Sequence, residues 1–256
     1  MSTYHSKKAK EFLKDPKKVE RHDRTFWSLR QKRDAAAAEL PEWEDLREHA
    51  SRIKEHTATH LADYLEQFSN SLERNGVIVH FAKDAQEFNE MVYGILESHK
   101  VKKLVKSKSM LTEECEMNPY LIKRGINVVE SDLGERILQL MHLKPAHIVM
   151  PAVHLTRDEI GEMFEEKGIS KEKGNHDPTY LTRCAREDLR GDFMDADAGL
   201  TGCNFGVAAT GDCVVCTNEG NADMSTSVPK LHIVAMGIEK VIPDYDSLAV
   251  FQRLLA

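Results

Sequence analysis

The chain has 256 residues, 41% hydrophobic and 30% charged, with a net charge of -7, a globular balance with length enough for one large domain and a buried core. No apolar run approaches the ~20 residues that span a bilayer. The start, MSTYHSKKAKEF, has a basic flank with no apolar stretch behind it, so it is not a secretory signal and a cytoplasmic location is expected. Acidity and an aromatic content of 7% argue against nucleic-acid binding.

Residues 1–34 carry 11 Lys and Arg against 5 Asp and Glu, whereas the remaining 222 residues carry 24 against 37. A basic arm on an acidic body is the reading, with a solvated helix as its plainest form. Up to residue 74 the pattern is helical. After Pro41, residues Leu46, Ile53, Leu61, Tyr64, Leu65 and Phe68 recur mostly at helical spacings before the stop at Gly76. An N-terminal helical region over 1–74 and an α/β domain over 75–256 are predicted.

The texture then alternates. The short β-branched runs 76–81, 103–106, 126–130 and 147–151 are each followed by a helical stretch, at 84–99, 110–124, 133–141 and 156–167. Such βαβ spacing predicts a mostly parallel sheet covered on both faces. After residue 199 the strands come closer together. CNFGVAAT and CVVCT flank the turn Gly211-Asp212, and KLHIVAM follows, which predicts a hairpin and a mixed sheet. The C-terminus breaks off inside an amphipathic pattern, DYDSLAVFQRLLA, and is read as a boundary within a longer chain.

Five cysteines, Cys115, Cys184, Cys203, Cys213 and Cys216, are odd in number and scattered, which excludes a disulfide framework. Cys213 and Cys216 lie three apart on a predicted strand and face opposite sides, so no metal site and no cofactor are expected in this chain.

Ligands of open α/β sheets bind at the carboxyl ends of the strands. Lys106, Ser107 and Ser109, between a strand and a helix start, have the parts of an anion site, and Ser109 also reads as a helix cap. Asp132 reads as a cap, and Thr156 with Glu159 as a capping box. His154 reads as a packed or surface residue rather than a site group. The densest polar cluster is 195–211 with 217–221, where Asn204, Thr210, Asn218 and Asn221 offer hydrogen bonds and Glu219 is the candidate catalytic carboxylate. Turn chemistry explains the same residues equally well. If the two loops share one cleft, Lys106 and Glu219 are natural partners.

VKSKSMLTEEC, VVESDLGERILQL, PAHIVMPAVH, ADAGLTGCNFGVAATG and TNEGN, in that order, resemble the lactate-utilisation iron–sulphur subunits (LutB type), which share the LUD domain. The helical segment WEDLREHASRIKEHTATHLADYLEQF is similar to their N-terminal region. The resemblance implies a fold like that of the sugar-phosphate isomerases, CoA-transferases and formyltetrahydrofolate cyclo-ligases (NagB/RpiA/CoA-transferase-like). It also implies partner subunits in an L-lactate-oxidising complex, and iron–sulphur clusters in a further segment beyond residue 256; the loop at Lys106–Ser109 adds the expectation of a small anionic ligand. A free-standing transferase or ligase with Glu219 as nucleophile, and a non-catalytic assembly module, are the alternatives.

Overall fold

The computed structural model describes residues 3–147 and 150–255. Four helices come first: α1 (Thr3–Phe12), α2 (Pro16–Ala38), α3 (Trp43–Thr59) and α4 (Leu61–Arg74). Next are α5 (Ala85–Ser98), β1 (Lys103–Lys106), α6 (Met110–Glu114), α7 (Met117–Ile122), β2 (Asn127–Glu130) and α8 (Leu133–Met141). Then follow α9 (Arg157–Glu166), α10 (Pro178–Met194), β3 (Ala198–Gly202), β4 (Phe205–Val207) and β5 (Asp212–Val214). The last are α11 (Asn221–Ser227), β6 (Leu231–Ala235), β7 (Val241–Ile242) and α12 (Tyr245–Arg253). None of the described helices is long and apolar enough to cross a membrane.

Residues 1–52 and 249–256 form one compact unit, and residues 53–248 the other. In the first, Asp15 caps α2 by accepting from the Lys17 and Lys18 N–H groups at 3.1 and 3.2 Å, with Pro16 at the first helical position where its missing N–H costs nothing. None of the described residues of α2 is buried. Glu42 and Arg253 form an ion pair within this unit.

The second unit is an α/β body, as the alternating pattern predicts. Its main sheet has the order β2-β1-β3-β6 and is parallel throughout. Alternate residues of each strand face opposite sides, and both sides are covered. Leu104, Val128 and Leu200 pack with Val92 and Leu96 of α5 and with Met117 and Leu121 of α7. Val105 and Val129 pack with Leu189 and Phe193 of α10. The predicted hairpin forms, β4 antiparallel to β5, but it joins β7 in a separate three-stranded sheet. Phe68 and Leu72 of α4 pack there with Ala208 and Val241.

Four expectations change. The helical stretch 110–124 is two helices, α6 and α7, broken where Glu116 turns left-handed at φ 50. The strand read through Cys216 ends at Val214, so Cys213 and Cys216 do not share it. The run 76–81 is not a strand. Gly76 turns left-handed at φ 83 and the Val77 N–H returns to the Leu72 carbonyl at 3.0 Å, so the run begins as a helix end. Ile78 is 81% exposed, and β-branched residues favour a strand only where a neighbour offers a ladder and a packing surface. The helix expected from Pro41 onward is two helices, α3 and α4, interrupted at His60. The run 147–151 includes residues 148 and 149, which lie outside the described residues.

Candidate functional site

The chain passes from β1 to β2 on one side, then crosses back to place β3 on the other side of β1. The carboxyl ends of β1 and β3 therefore flank the topological switch point, where an open parallel sheet leaves a crevice. The residues after β1 are Ser107-Lys108-Ser109, and those after β3 are Cys203 and Asn204. The ladder continues past the strand ends, the Ser107 N–H donating to the Leu200 carbonyl and the Ser131 N–H to the Lys106 carbonyl, both at 2.9 Å. Gly202 lets the two ends close up: a Cβ on it would lie 3.3 Å from both Cβ and Oγ of Ser109.

Ser107 and Ser109 are buried, and the Ser107 Oγ has no hydrogen-bond partner. Ser109 stands at the N-cap position of α6, as predicted, but makes no side-chain capping bond. Asp132 does cap α8, accepting from the Glu135 N–H at 3.1 Å, and Thr156 and Glu159 form the predicted capping box on α9. His154 is half-buried.

Lys106 is the centre of an ionic cluster that the sequence reading did not assemble. It is fully buried, and parallel register places it opposite Glu130. Its Nζ lies 2.9 Å from Glu113 Oε1, 3.0 Å from Glu130 Oε1 and 3.9 Å from Glu135 Oε2. It also donates to Thr112 Oγ1 at 3.2 Å. The three carboxylates offer oxygens within 4.8 Å of one another, and the ammonium is the cation they surround. Burial alone lowers the lysine's affinity for its proton, but the surrounding acids outweigh it and hold the ammonium well above its ordinary range. Burial, reinforced by Glu130, pushes the Glu135 carboxyl up to about 9, against the opposing pull of Lys106.

Glu219 reaches this carboxyl edge too, accepting from the Leu133 N–H at the start of α8 at 3.4 Å. Its charged neighbours are Asp132 and Lys108 rather than Lys106, so the expected Lys106–Glu219 pair is replaced by two separate arrangements. Burial and Asp132 raise the Glu219 carboxyl, while the Leu133 N–H and Lys108 oppose them. Asn204 pins the hairpin, its Oδ1 accepting from the Cys216 N–H at 2.8 Å. Asn218 is exposed, and Asn221 opens α11, its Oδ1 accepting from Thr217 Oγ1 at 3.3 Å. Thr210 lies in the hairpin turn, bonded to Asp212, with its carbonyl taken by Asn75 at 2.9 Å. It belongs to the turn packed on α4, past the other end of β4 from Asn204.

The sequence carries one signal for the missed acids. Glu130 ends a strand as Lys106 does, but only the strand order and register show that the two adjoin. The cluster combines a buried cation, a buried acid pair and a half-buried acid, Glu113, a set able to hold and pass a proton.

The family described as LUD domain matches residues 65–256. "Lactate utilization protein B" of Bacillus pumilus (strain SAFR-032) is 46% identical over 228 residues, covering 89% of this chain and 48% of that protein. The proteins of the same name from Exiguobacterium sp. (strain ATCC BAA-1283 / AT1b) and Geobacillus kaustophilus (strain HTA426) are each 44% identical. They cover 89% and 85% of this chain, and 48% and 45% of their own length. The chain thus spans about half the length of the curated relatives it matches. No solved structure matches it.

Proposed function

The chain belongs to the LUD-domain family, and from that premise we propose that it is the ligand-binding part of a lactate-utilisation protein, acting with partner subunits in the oxidation of L-lactate. The observation that carries this reading is the 46% identity, over nearly the whole chain, to a protein named lactate utilization protein B. The ligand is a small carboxylate anion seated at the switch point between the ends of β1 and β3. Its supports are the Ser107 and Ser109 hydroxyls and Lys108, with Glu219 across the edge as the reactive carboxylate. Lys106 is not a first contact for the anion, because its charge is already surrounded by three carboxylates.

We place the iron–sulphur clusters of that reaction outside these 256 residues. The cysteines here are Cys184 in the α10 core, Cys203, Cys213 and Cys216 at the hairpin, and Cys115 apart from them. Cys203 and Cys213 touch through their side chains, but among the described residues no three cysteines gather their sulphurs. Four cysteine ligands per cluster are the usual requirement, so these residues do not fit one.

Thermal unfolding of the chain with L-lactate, pyruvate, CoA and nucleotides tests the reading, since a ligand at 100 times its Kd adds about 2.7 kcal/mol to stability. A shift with lactate or pyruvate supports it. A selective shift with CoA, abolished in Glu219→Gln, replaces it with a transferase. No shift with any of them favours an assembly module.

A further inference from the structure

The ionic cluster has a proton imbalance that its geometry resolves in one way. Three carboxylates surround one ammonium, so full ionisation leaves two uncompensated negative charges in a buried space. Glu130 and Glu135 are 3% and 8% exposed, and each has an Oε2 that is buried without a hydrogen-bond partner. The two carboxylates adjoin, one oxygen of each lying within 4.8 Å of one of the other, and ionised carboxylates are pure acceptors that cannot satisfy each other. One proton on this pair supplies the missing donor and removes one charge.

The other groups around the pair do not supply that donor. The Asn118 amide is turned to Glu130 Oε1. The Gln139 side-chain oxygen accepts from the Glu130 backbone N–H at 3.2 Å, and its amide is bonded to the Val128 carbonyl at 2.8 Å. Arg136, next along α8, directs its guanidinium to Gln139 and to Asp188 and Asp192 of α10 at 3.0, 3.0 and 3.4 Å. Glu113 is the outlet: its side chain is 31% exposed, in the helix that follows the Ser107–Ser109 loop.

We propose that Glu130 and Glu135 share one proton at neutral pH and exchange it with the switch-point crevice through Lys106 and Glu113, which makes the cluster the proton-exchange site for a small hydroxy- or oxo-acid. The ligand clause rests on the function proposed above; the shared proton does not. Lys106 Nζ is within hydrogen-bond distance of both Glu113 and Glu130. The ammonium therefore hands a proton to the Glu113 carboxylate as it takes one from Glu130, with its own charge unchanged and no other reactant consumed. The upward displacement of the Glu135 carboxyl, from burial and then from Glu130, points the same way.

Infrared spectroscopy of the whole chain tests the pair. At pH 7 the wild type should show the carbonyl stretch of a buried protonated carboxyl group, moving when H2O is replaced by D2O. Glu135→Gln, which copies the neutral acid in shape, and Glu130→Gln should each remove it. Glu113→Gln should keep the band and slow its exchange. Absence of the band at pH 7, or its survival in both the Glu130 and Glu135 variants, overturns the proposal, as does unchanged exchange in Glu113→Gln. Calorimetry with L-lactate and with pyruvate, in buffers of different ionisation heat, tests the ligand clause. Proton uptake or release on binding that disappears in Glu135→Gln supports it, and binding with no proton change refutes it. No binding of either acid overturns the ligand clause together with the lactate reading, while the infrared band still decides the shared proton by itself.

Discussion

Lys106 shows how little a residue's type says about its role until its neighbours are known. At the end of a strand it looks like a cation awaiting an anion; folded, it is fully buried among Glu113, Glu130 and Glu135. Removing one partner from a buried ionic group leaves the rest uncompensated, at a cost of roughly 3–5 kcal/mol. Lys106→Met should therefore lower unfolding stability by about that amount, read as a fall in urea midpoint at an unchanged slope. Glu135 gives the opposite sign. Its folded carboxyl keeps a proton up to about 9 against an ordinary value of 4.5, so between those limits the folded chain binds a proton that the unfolded chain has lost. The contribution is fully present below the unfolded value and is lost as pH rises through that window. Glu135→Gln should be stabilised relative to wild type, by more at pH 8 than at pH 5. Denaturant melts across that range check the sign, and parallel pH profiles for the two proteins would contradict it.

At the level of elements, what was legible was what is local. The runs 103–106 and 133–141 coincide with β1 and α8, and the Asp132 and Thr156 caps follow from residues three apart in the chain. What was not legible depends on partners distant in sequence. The run 76–81 has strand composition and no strand neighbour, whereas Ala198–Gly202, with two glycines, reads as a ligand loop and is a central strand between β1 and β6. Glycine weakens an isolated strand, yet marks a place where another backbone approaches. Gly199 is that case: a Cβ on it would lie 1.8 Å from the Ser225 carbonyl oxygen and 2.8 Å from its carbon, backbone atoms that move only if α11 moves. Gly199→Ala should thus cost about 3 kcal/mol or more. Gly202→Ala, facing Ser109 at 3.3 Å, should cost less. Equal losses in the two variants, compared by thermal unfolding, would show that α11 yields freely. The candidate site was legible in placement only: that Lys106, Ser107, Ser109 and Glu219 lie along the carboxyl edge could be anticipated, but the acids around Lys106 needed the register.

For the whole molecule, three of the five cysteines lie at the hairpin, one in α10 and one after α6, one short of a four-thiolate set at any place. The chain by itself, reconstituted anaerobically with iron and sulphide, should therefore take up no stoichiometric cluster; matching iron and sulphide content would refute this. The basic arm allows a stronger test of how the fold divides. Residues 1–34 carry six more cations than anions, and self-repulsion opposes their compaction. Their apolar residues bury little: Leu13 is 66%, Trp27 60% and Leu29 38% exposed, and none of the described residues of α2 is buried. At about 25 cal/mol per Å² of apolar surface, a few half-covered anchors contribute at most several kcal/mol before the entropy of ordering their helix is subtracted. The clusters around Leu104, Phe164, Phe68 and Val105 all lie within residues 53–248. Deleting residues 1–34 should leave a soluble protein with one cooperative melt, its midpoint within a few degrees of the full chain. Insolubility or a broad, non-cooperative melt would mean that the arm completes the core, and the division would be wrong.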